Sequence, residues 1–405
     1  MRRVSALALL AVVSLSARLH AQDLLESLGE NLTLSAFDDS VRARVSGTLD
    51  LEYYRFEQPP PGLIDAAGND LFNPRLTLFL DVQAGPALYF FAQARFDRGF
   101  DPSDRGAQIR LDEYALRYTP WKDGRVSLQV GKFATVIGNW VVRHLSWDNP
   151  FISAPLVYEQ VTPLEDMTAP GPYEYDGNIH DEKREYLAEI WGPSYASGAS
   201  IAGRIGTFEY AAEIKNASLA SRPESWDATR IGFDYPTFSG RIGWRPNEMW
   251  NLGLSASEGP YFRPDALSTL PPGTGLGDFR QYVITQDISF AWRHLQLWAE
   301  FHQARFEIPT IGDGDTFGYF IEAKYKFAPQ LFGAVRWNQQ FFSEVPIFHG
   351  TRRVPWSHDV SRLETALGYR PTSSTQLKVQ YFIQHEERIR GPISHTFAAQ
   401  FTVRF

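Results

Sequence analysis

The chain has 405 residues, of which 43% are hydrophobic and 14% aromatic, with no cysteine and a formal net charge of −8 at neutral pH. The acidic balance argues against nucleic acid as a partner, and the lack of cysteine rules out a disulfide framework. No window of eighteen or more apolar residues exists to form a transmembrane helix. The mean hydropathy of −0.29 does not separate a soluble protein from a membrane barrel, because only alternate residues of a barrel strand face lipid.

At the start, Arg2 and Arg3 precede an apolar run from Val4 to Leu15, and a small residue follows at Ala21. That order of basic, apolar and small residues predicts an export signal over residues 1–21, too short to span a bilayer. Its removal takes away Arg2, Arg3 and Arg18 and moves the formal charge from −8 to −11. Residues 22–40 read as a short periplasmic segment, with one helix-period stretch near Leu24–Leu34. From Val41 onward the period is two. Val41, Ala43, Val45, Leu49, Leu51 and Tyr53 alternate with Arg42, Arg44, Ser46, Thr48, Asp50 and Glu52, the signature of a strand with one apolar and one polar face. Similar runs follow at Arg75–Ala84, Ala87–Asp97, Gln108–Thr119, Arg125–Phe133, Ser197–Ile205, Thr207–Ala217 and Thr237–Pro246. The series continues with Met249–Glu258, Arg280–Trp292, His294–Phe306, Phe317–Phe327, Gln330–Phe342, His358–Arg370, Thr375–Glu386 and Ser394–Phe405. Each has about ten residues, the length a tilted strand needs to cross a bilayer.

The links between these sixteen or so strands alternate in length. Even-numbered strands end in tight turns such as Gly85–Pro86, Pro120–Gly124, Gly206, Arg293 and Ala328–Pro329. Odd-numbered strands end in longer links: Phe56–Asn73, Arg98–Ala107, Ala134–Ala196, Ser218–Pro236, Gly259–Phe279, Glu307–Thr316, Ser343–Ser357 and Glu387–Ile393. A meander with one short-turn end and one long-loop end predicts an all-β fold, a transmembrane antiparallel β-barrel over residues 41–405 with both termini at the short-turn end. Trp121, Trp244, Trp250 and Trp292 lie beside predicted short turns, where an interfacial aromatic belt belongs.

The chain stops inside a strand pattern, with Phe397, Ala399, Phe401, Val403 and Phe405 on one face. Closing a barrel leaves no edge, so the last strand is expected to pair with the first. Here the sequence resembles bacterial outer-membrane porins of Gram-negative cells, whose chains end in an aromatic after alternate apolar residues. The resemblance implies that Phe401, Val403 and Phe405 form a signal read by the barrel-assembly machinery. The resemblance is also to proteins that sit in outer-membrane lipid, many of them as homotrimers, and it implies passage of small hydrophilic solutes or ions by diffusion; the residues themselves leave the number of associated barrels open.

Charges on a lipid-facing wall cost about 2–4 kcal/mol for Arg or Lys at midplane, so parity places Arg42, Arg44, Arg75, Arg95, Arg241, Arg336, Arg362 and Lys324 in the lumen. Bases exceed acids only slightly there, and pairing across neighbouring strands accounts for many of these charges. Sixteen strands leave an aqueous channel. The long link at 134–196 is rich in Trp140, Trp147, Phe151, Leu156 and Tyr158, which argues against disorder and for an inward-folded constriction. Lys132, Arg143, Asp148 and Glu159 are the charges expected to face the narrowed path. Val130-Gly131-Lys132-Phe133 resembles the motif before the inward loop of the phosphate-selective porin O/P group, though the rest of the link carries no basic ladder.

The sequence offers no catalytic residues, metal-ligand spacing or cofactor motif; Gly312–Gly318 resembles a calcium loop but lacks its downstream acids and reads as a hairpin tip. The expected function is therefore a non-enzymatic porin. An outer-membrane barrel enzyme and a secreted polysaccharide-binding β-protein are the alternatives.

Overall fold

The computed structural model describes residues 32–98, 106–171, 175–180, 182–347, 352–387 and 393–405; the expected signal at 1–21 and much of the links 98–107 and 387–393 lie outside them. Sixteen antiparallel strands form the wall. They are β1 (Val41–Phe56), β2 (Asp70–Ala84), β3 (Leu88–Asp97), β4 (Gln108–Tyr118), β5 (Ser127–Lys132), β6 (Ser197–Ile205), β7 (Phe208–Lys215) and β8 (Thr237–Trp244). The circuit continues through β9 (Trp250–Pro260), β10 (Arg280–Trp292), β11 (Leu295–Ile308), β12 (Gly312–Ala328), β13 (Leu331–Phe342), β14 (Val360–Tyr369), β15 (Thr375–Glu386) and β16 (Ser394–Arg404). Each pairs with its sequence neighbour, and β1 pairs with β16 from Thr48–Arg404 to Phe56–Thr396. The barrel is closed.

Closure explains why the chain ends on an aromatic. Phe405 and Gly47 exchange two backbone hydrogen bonds of 3.0 Å. A Cβ on Gly47 would lie 2.6 Å from the Phe405 ring, so only glycine leaves room for the ring against the outer face of the seam. Phe397 and Phe401 continue the same face and are exposed to the outside. The exterior elsewhere is a band of exposed apolar side chains, among them Leu51, Ile201, Leu254, Ile321, Val335 and Leu367. Trp121, Trp244, Trp250, Trp292 and Tyr369 are exposed beside the short turns. A closed wall with an apolar exterior and an aromatic girdle is an outer-membrane-type multi-pass barrel.

Two local expectations are corrected. Glu307–Thr316 is not a long link: β11 and β12 continue as a paired hairpin joined by residues 309–311, with Thr310 at φ 64° and Gly312 at φ 113°. The directly opposed Arg305 and Asp315, with Nε–Oδ1 at 2.7 Å, favour that pairing. The alternation of link lengths is broken at this one position. The helix period near Leu24–Leu34 does not govern its described end either, since Thr33–Ala36 is a strand paired with Val41–Arg44.

Candidate functional site

The chain leaves the wall at Phe133, folds through the lumen and rejoins β6 at Ser197. Two short 3-10 turns, Val141–Arg143 and Leu156–Tyr158, and a small hairpin of Val161–Glu165 with Tyr186–Ala188 shape this segment. Its apolar side is buried. Ile137, Trp140, Val141, Val157, Tyr158 and Ile190 pack against Val283, Ala304 and Phe320, apolar residues of β10, β11 and β12 that point inward. At Gly138, φ is 69° and a Cβ would lie 2.6 Å from a Glu300 carboxylate oxygen; a side chain there has no room.

Polar wall residues fasten the segment's backbone. The buried Glu300 carboxylate accepts the amides of Asn139 at 2.7 Å and Trp140 at 2.6 Å, the Tyr158 hydroxyl at 2.6 Å, and a contact from His302 Nε2 at 3.0 Å. Lys378 Nζ donates to the carbonyls of Ser146, Asn149 and Phe151 at 2.7–3.1 Å. Gln380 Oε1 accepts the amides of Ile152 and Ser153, and Asn338 Oδ1 accepts that of Leu156. Lys215 holds the carbonyl of Phe133 at 2.6 Å. Thr285, His302 and Glu300 have the order of a hydroxyl–imidazole–carboxylate relay. All three are buried beneath the segment, and the carboxylate spends its lone pairs on that backbone. The arrangement is a fastening.

The residues expected at the constriction fall in three places. Arg143 donates to Glu322 at 2.6 Å and stacks on Trp298 at 4.3 Å. From Glu322 an alternating chain runs to Arg336 (3.3 Å), Glu364 (2.8 Å), Arg362 (3.2 Å) and finally Glu159. Three cations and three carboxylates thus join Arg143 to Glu159 across β12–β14. Asp148 is exposed, and Lys132 ends β5 with Nζ 3.0 Å from the Leu111 carbonyl. Of the inward charges, Arg241 pairs with Asp287 at 2.7 Å, Lys324 lies over the Phe332 ring, and Arg42 and Arg44 are exposed at the short-turn rim.

The segment leaves part of the lumen unfilled on the β1–β3 side. A cavity of about 140 Å³ remains, lined by Asp50, Arg75, Arg95, His144, Ser146 and Glu159 among others. That volume is well above what a single water needs. Arg75 is shared between Glu52 (3.1 Å) and Asp97 (3.4 Å), and Arg95 meets Asp112 at 3.0 Å. Burial pushes His144 down to about 4, so it is neutral at pH 7 while its Nε2 meets the Tyr195 hydroxyl at 2.5 Å. Burial likewise pushes the Glu189 carboxyl up to about 7. Sequence reasoning missed the fastening residues Glu300, Lys378, Gln380 and Asn338 as a set, and the inward Val283, Ala304 and Phe320. The last three carried a signal: apolar residues at lumen parity have no reason to face water.

No protein-family model matches the chain, and no curated protein matches it. Solved structures do. Salmonella typhi OmpF in complex with daunomycin aligns with TM-score 0.57 at 11% identity, over 92% of this chain and all of that one. The trimer form of in-vitro folded OmpT, an outer membrane protein of Vibrio cholerae, aligns with TM-score 0.56 at 10% identity, over 91% and 100%. An anion-selective porin from Comamonas acidovorans aligns with TM-score 0.52 at 12% identity, over 90% and 100%. The expected tie to the phosphate-selective group gains no support from these neighbours. At such identities the likeness concerns fold, and the fold is that of the outer-membrane porin barrel.

Proposed function

We propose that the chain is an outer-membrane channel for passive, weakly selective diffusion of small hydrophilic solutes or ions, narrowed by the segment at 134–196. The observation that carries this reading is the fastened segment itself. A sixteen-strand barrel is too wide to be filled by its wall, and here wall side chains are spent on holding one inward fold, leaving a narrow gap of mixed charged and apolar lining beside β1–β3. The equal numbers of cations and carboxylates between Arg143 and Glu159 favour weak selectivity; Asp148 is exposed between the lining residues Ser146 and Asn149, and Lys132 stands apart at the end of β5. Rings of charge bias ion passage, so Arg143→Gln or Lys132→Gln shifts the reversal potential toward cations. Residues 1–21 act as the export signal, Phe401, Val403 and Phe405 are read by the barrel-assembly machinery, and the protein works as a homotrimer, as the trimeric Vibrio neighbour suggests by analogy.

Planar-bilayer recording tests the reading. The intact protein gives small, steady conductance steps. Replacing 137–190 by a short Gly-Ser linker enlarges them. A barrel that inserts but passes no current in either form refutes the channel.

A further inference from the structure

A second cavity, of about 600 Å³, opens on the long-loop side of the barrel. The β1–β2 link, the inward segment, the β13–β14 link and the ends of β15 and β16 enclose it. It lies outward of the narrow gap along the same elements. On the lumen face of β15, Phe382 lines the gap and Gln384 the cavity, two residues and so about 7 Å apart. Glu159 and Gln160 of the segment divide in the same way. Two side chains in the cavity wall stand out. Gln160 and Gln384 are 8% and 6% exposed, and the Oε1 atom of each is buried with no hydrogen-bond partner among the described residues. Other lumen glutamines are spent on backbone amides, Gln380 on Ile152 and Ser153 and Gln281 on Ala220. Native proteins leave few buried polar groups idle, so two on one cavity call for an occupant.

The lining says what kind of occupant. Its charges are of both signs, Glu57 and Glu386 with Lys183 and His358, and part of that charge is committed. Lys183 Nζ donates to the carbonyls of Pro60 at 2.6 Å and Ile64 at 3.2 Å, and Glu57 accepts the amide of His395 at 3.2 Å. The buried recognition groups are therefore the two neutral amides. A cation would serve their carbonyl ends and leave the N–H groups idle; an anion would do the reverse. A hydroxyl serves both ends, because it donates and accepts. Pro59, Pro60, Pro61, Val161 and Ile179 supply apolar surface for a hydrocarbon frame. The volume lies in the range of small-molecule sites and far exceeds the need of one water. We propose that this cavity is a saccharide subsite at the outer entrance, where the Gln160 and Gln384 amides hold hydroxyls of a neutral sugar whose C–H faces lie on the prolines. The site deepens the channel reading by naming a solute class, and rests on that reading for passage but not for binding.

Saturation-transfer NMR of the full-length barrel, in a detergent that carries no sugar, tests it with maltotriose, raffinose and sucrose offered in turn. The wild type transfers saturation to at least one of them. For the tightest, Gln160→Leu and Gln384→Leu each raise the dissociation constant about tenfold. Neither amide oxygen has a partner within the described chain to lose, so both variants migrate unheated as the wild-type compact band. No transfer to any of the three sugars overturns the site, and so does binding unchanged in either leucine variant. Spermidine bound more tightly than every sugar, and weakened by the same substitutions, assigns the cavity to a cation and overturns it too. Bilayer recording on the same preparation separates this outcome from the channel reading. A barrel that binds sugar but passes no current keeps the site and loses the path, while one that conducts and binds no sugar does the reverse.

Discussion

Glu300 offers the sharpest perturbation, because one wall carboxylate fastens two backbone amides and a tyrosine of the inward segment. It is buried at 1% exposure, so Glu300→Ala leaves those donors and His302 without an acceptor, and no water shell compensates. Breaking such a buried charged network costs about 3–5 kcal/mol, whereas the nearly isosteric Glu300→Gln keeps an acceptor for the amides and loses only the charge, about 1–2 kcal/mol. The barrel does not depend on this group, since β10, β11 and β12 keep their ladders. The loss therefore falls on the docking of the segment. Hydrogen exchange of a peptide spanning Asn139 and Trp140 reads local opening directly. At 1.4 kcal/mol per tenfold, exchange there rises roughly 100- to 4,000-fold in Glu300→Ala and about tenfold in Glu300→Gln. A peptide from the β2–β3 hairpin does not change. Current noise in bilayers increases in the same order. Unchanged exchange at Asn139 and Trp140 in Glu300→Ala would refute the idea that the wall carboxylate holds the segment down.

Three further outcomes are expected. Phe405→Asp removes the ring that covers Gly47 at the closing seam and lowers the level of membrane-inserted, heat-modifiable barrel severalfold, whereas Arg404→Gln does not; equal levels in the two would contradict the seam role. Trypsin added to intact cells cleaves the β7–β8 link after the exposed Arg230 and spares Lys122 in the β4–β5 turn; the opposite pattern inverts the topology. His144 sits at about 4, below its ordinary 6.5, so it favours the docked segment fully above pH 6.5 and loses that contribution as pH falls toward 4. Glu189, raised to about 7, acts in the opposite direction over the same range, so the His144 effect is read as a difference: between pH 6.5 and 4 bilayer current noise rises more in the wild type than in His144→Gln.

The wall was legible in the sequence because lipid and water impose opposite demands on alternate residues, and that demand is local. The paired strands, the seam at Phe405 and the girdle tryptophans all follow from it. What period two cannot convey is where a strand ends when the water on both sides tolerates it, and so the β11–β12 hairpin ran past Glu307 into a stretch that resembled a loop. Nor does parity distinguish a lumen residue that faces water from one that faces protein. Arg143, Glu159, Arg336 and Arg362 sit inside, yet they are spent on one another and on the segment's carbonyls.

The discriminating signal lay in the apolar exceptions. A lumen filled with water penalises Val283, Ala304 and Phe320 by about 1.5–3 kcal/mol for each large side chain left exposed, so their inward parity on three consecutive strands implies a protein surface against them. The one long link rich in tryptophan and aliphatic residues is the surface available, and Trp140, Val157 and Tyr158 meet them. Buried amides and carboxylates on one of these strands and on strands further along the wall then serve the backbone that the apolar contact brings in, since an inward fold without regular structure carries amides that the wall must satisfy. Glu300, Asn338 and Gln380 supply those partners from β11, β13 and β15. The gap proposed above as the path is by this logic where wall and segment share the fewest apolar contacts. Along β1–β3, Asp50, Arg75 and Arg95 face the cavity, and the segment's apolar contact there is Ile152 against the smaller cluster of Tyr54, Phe56 and Leu71.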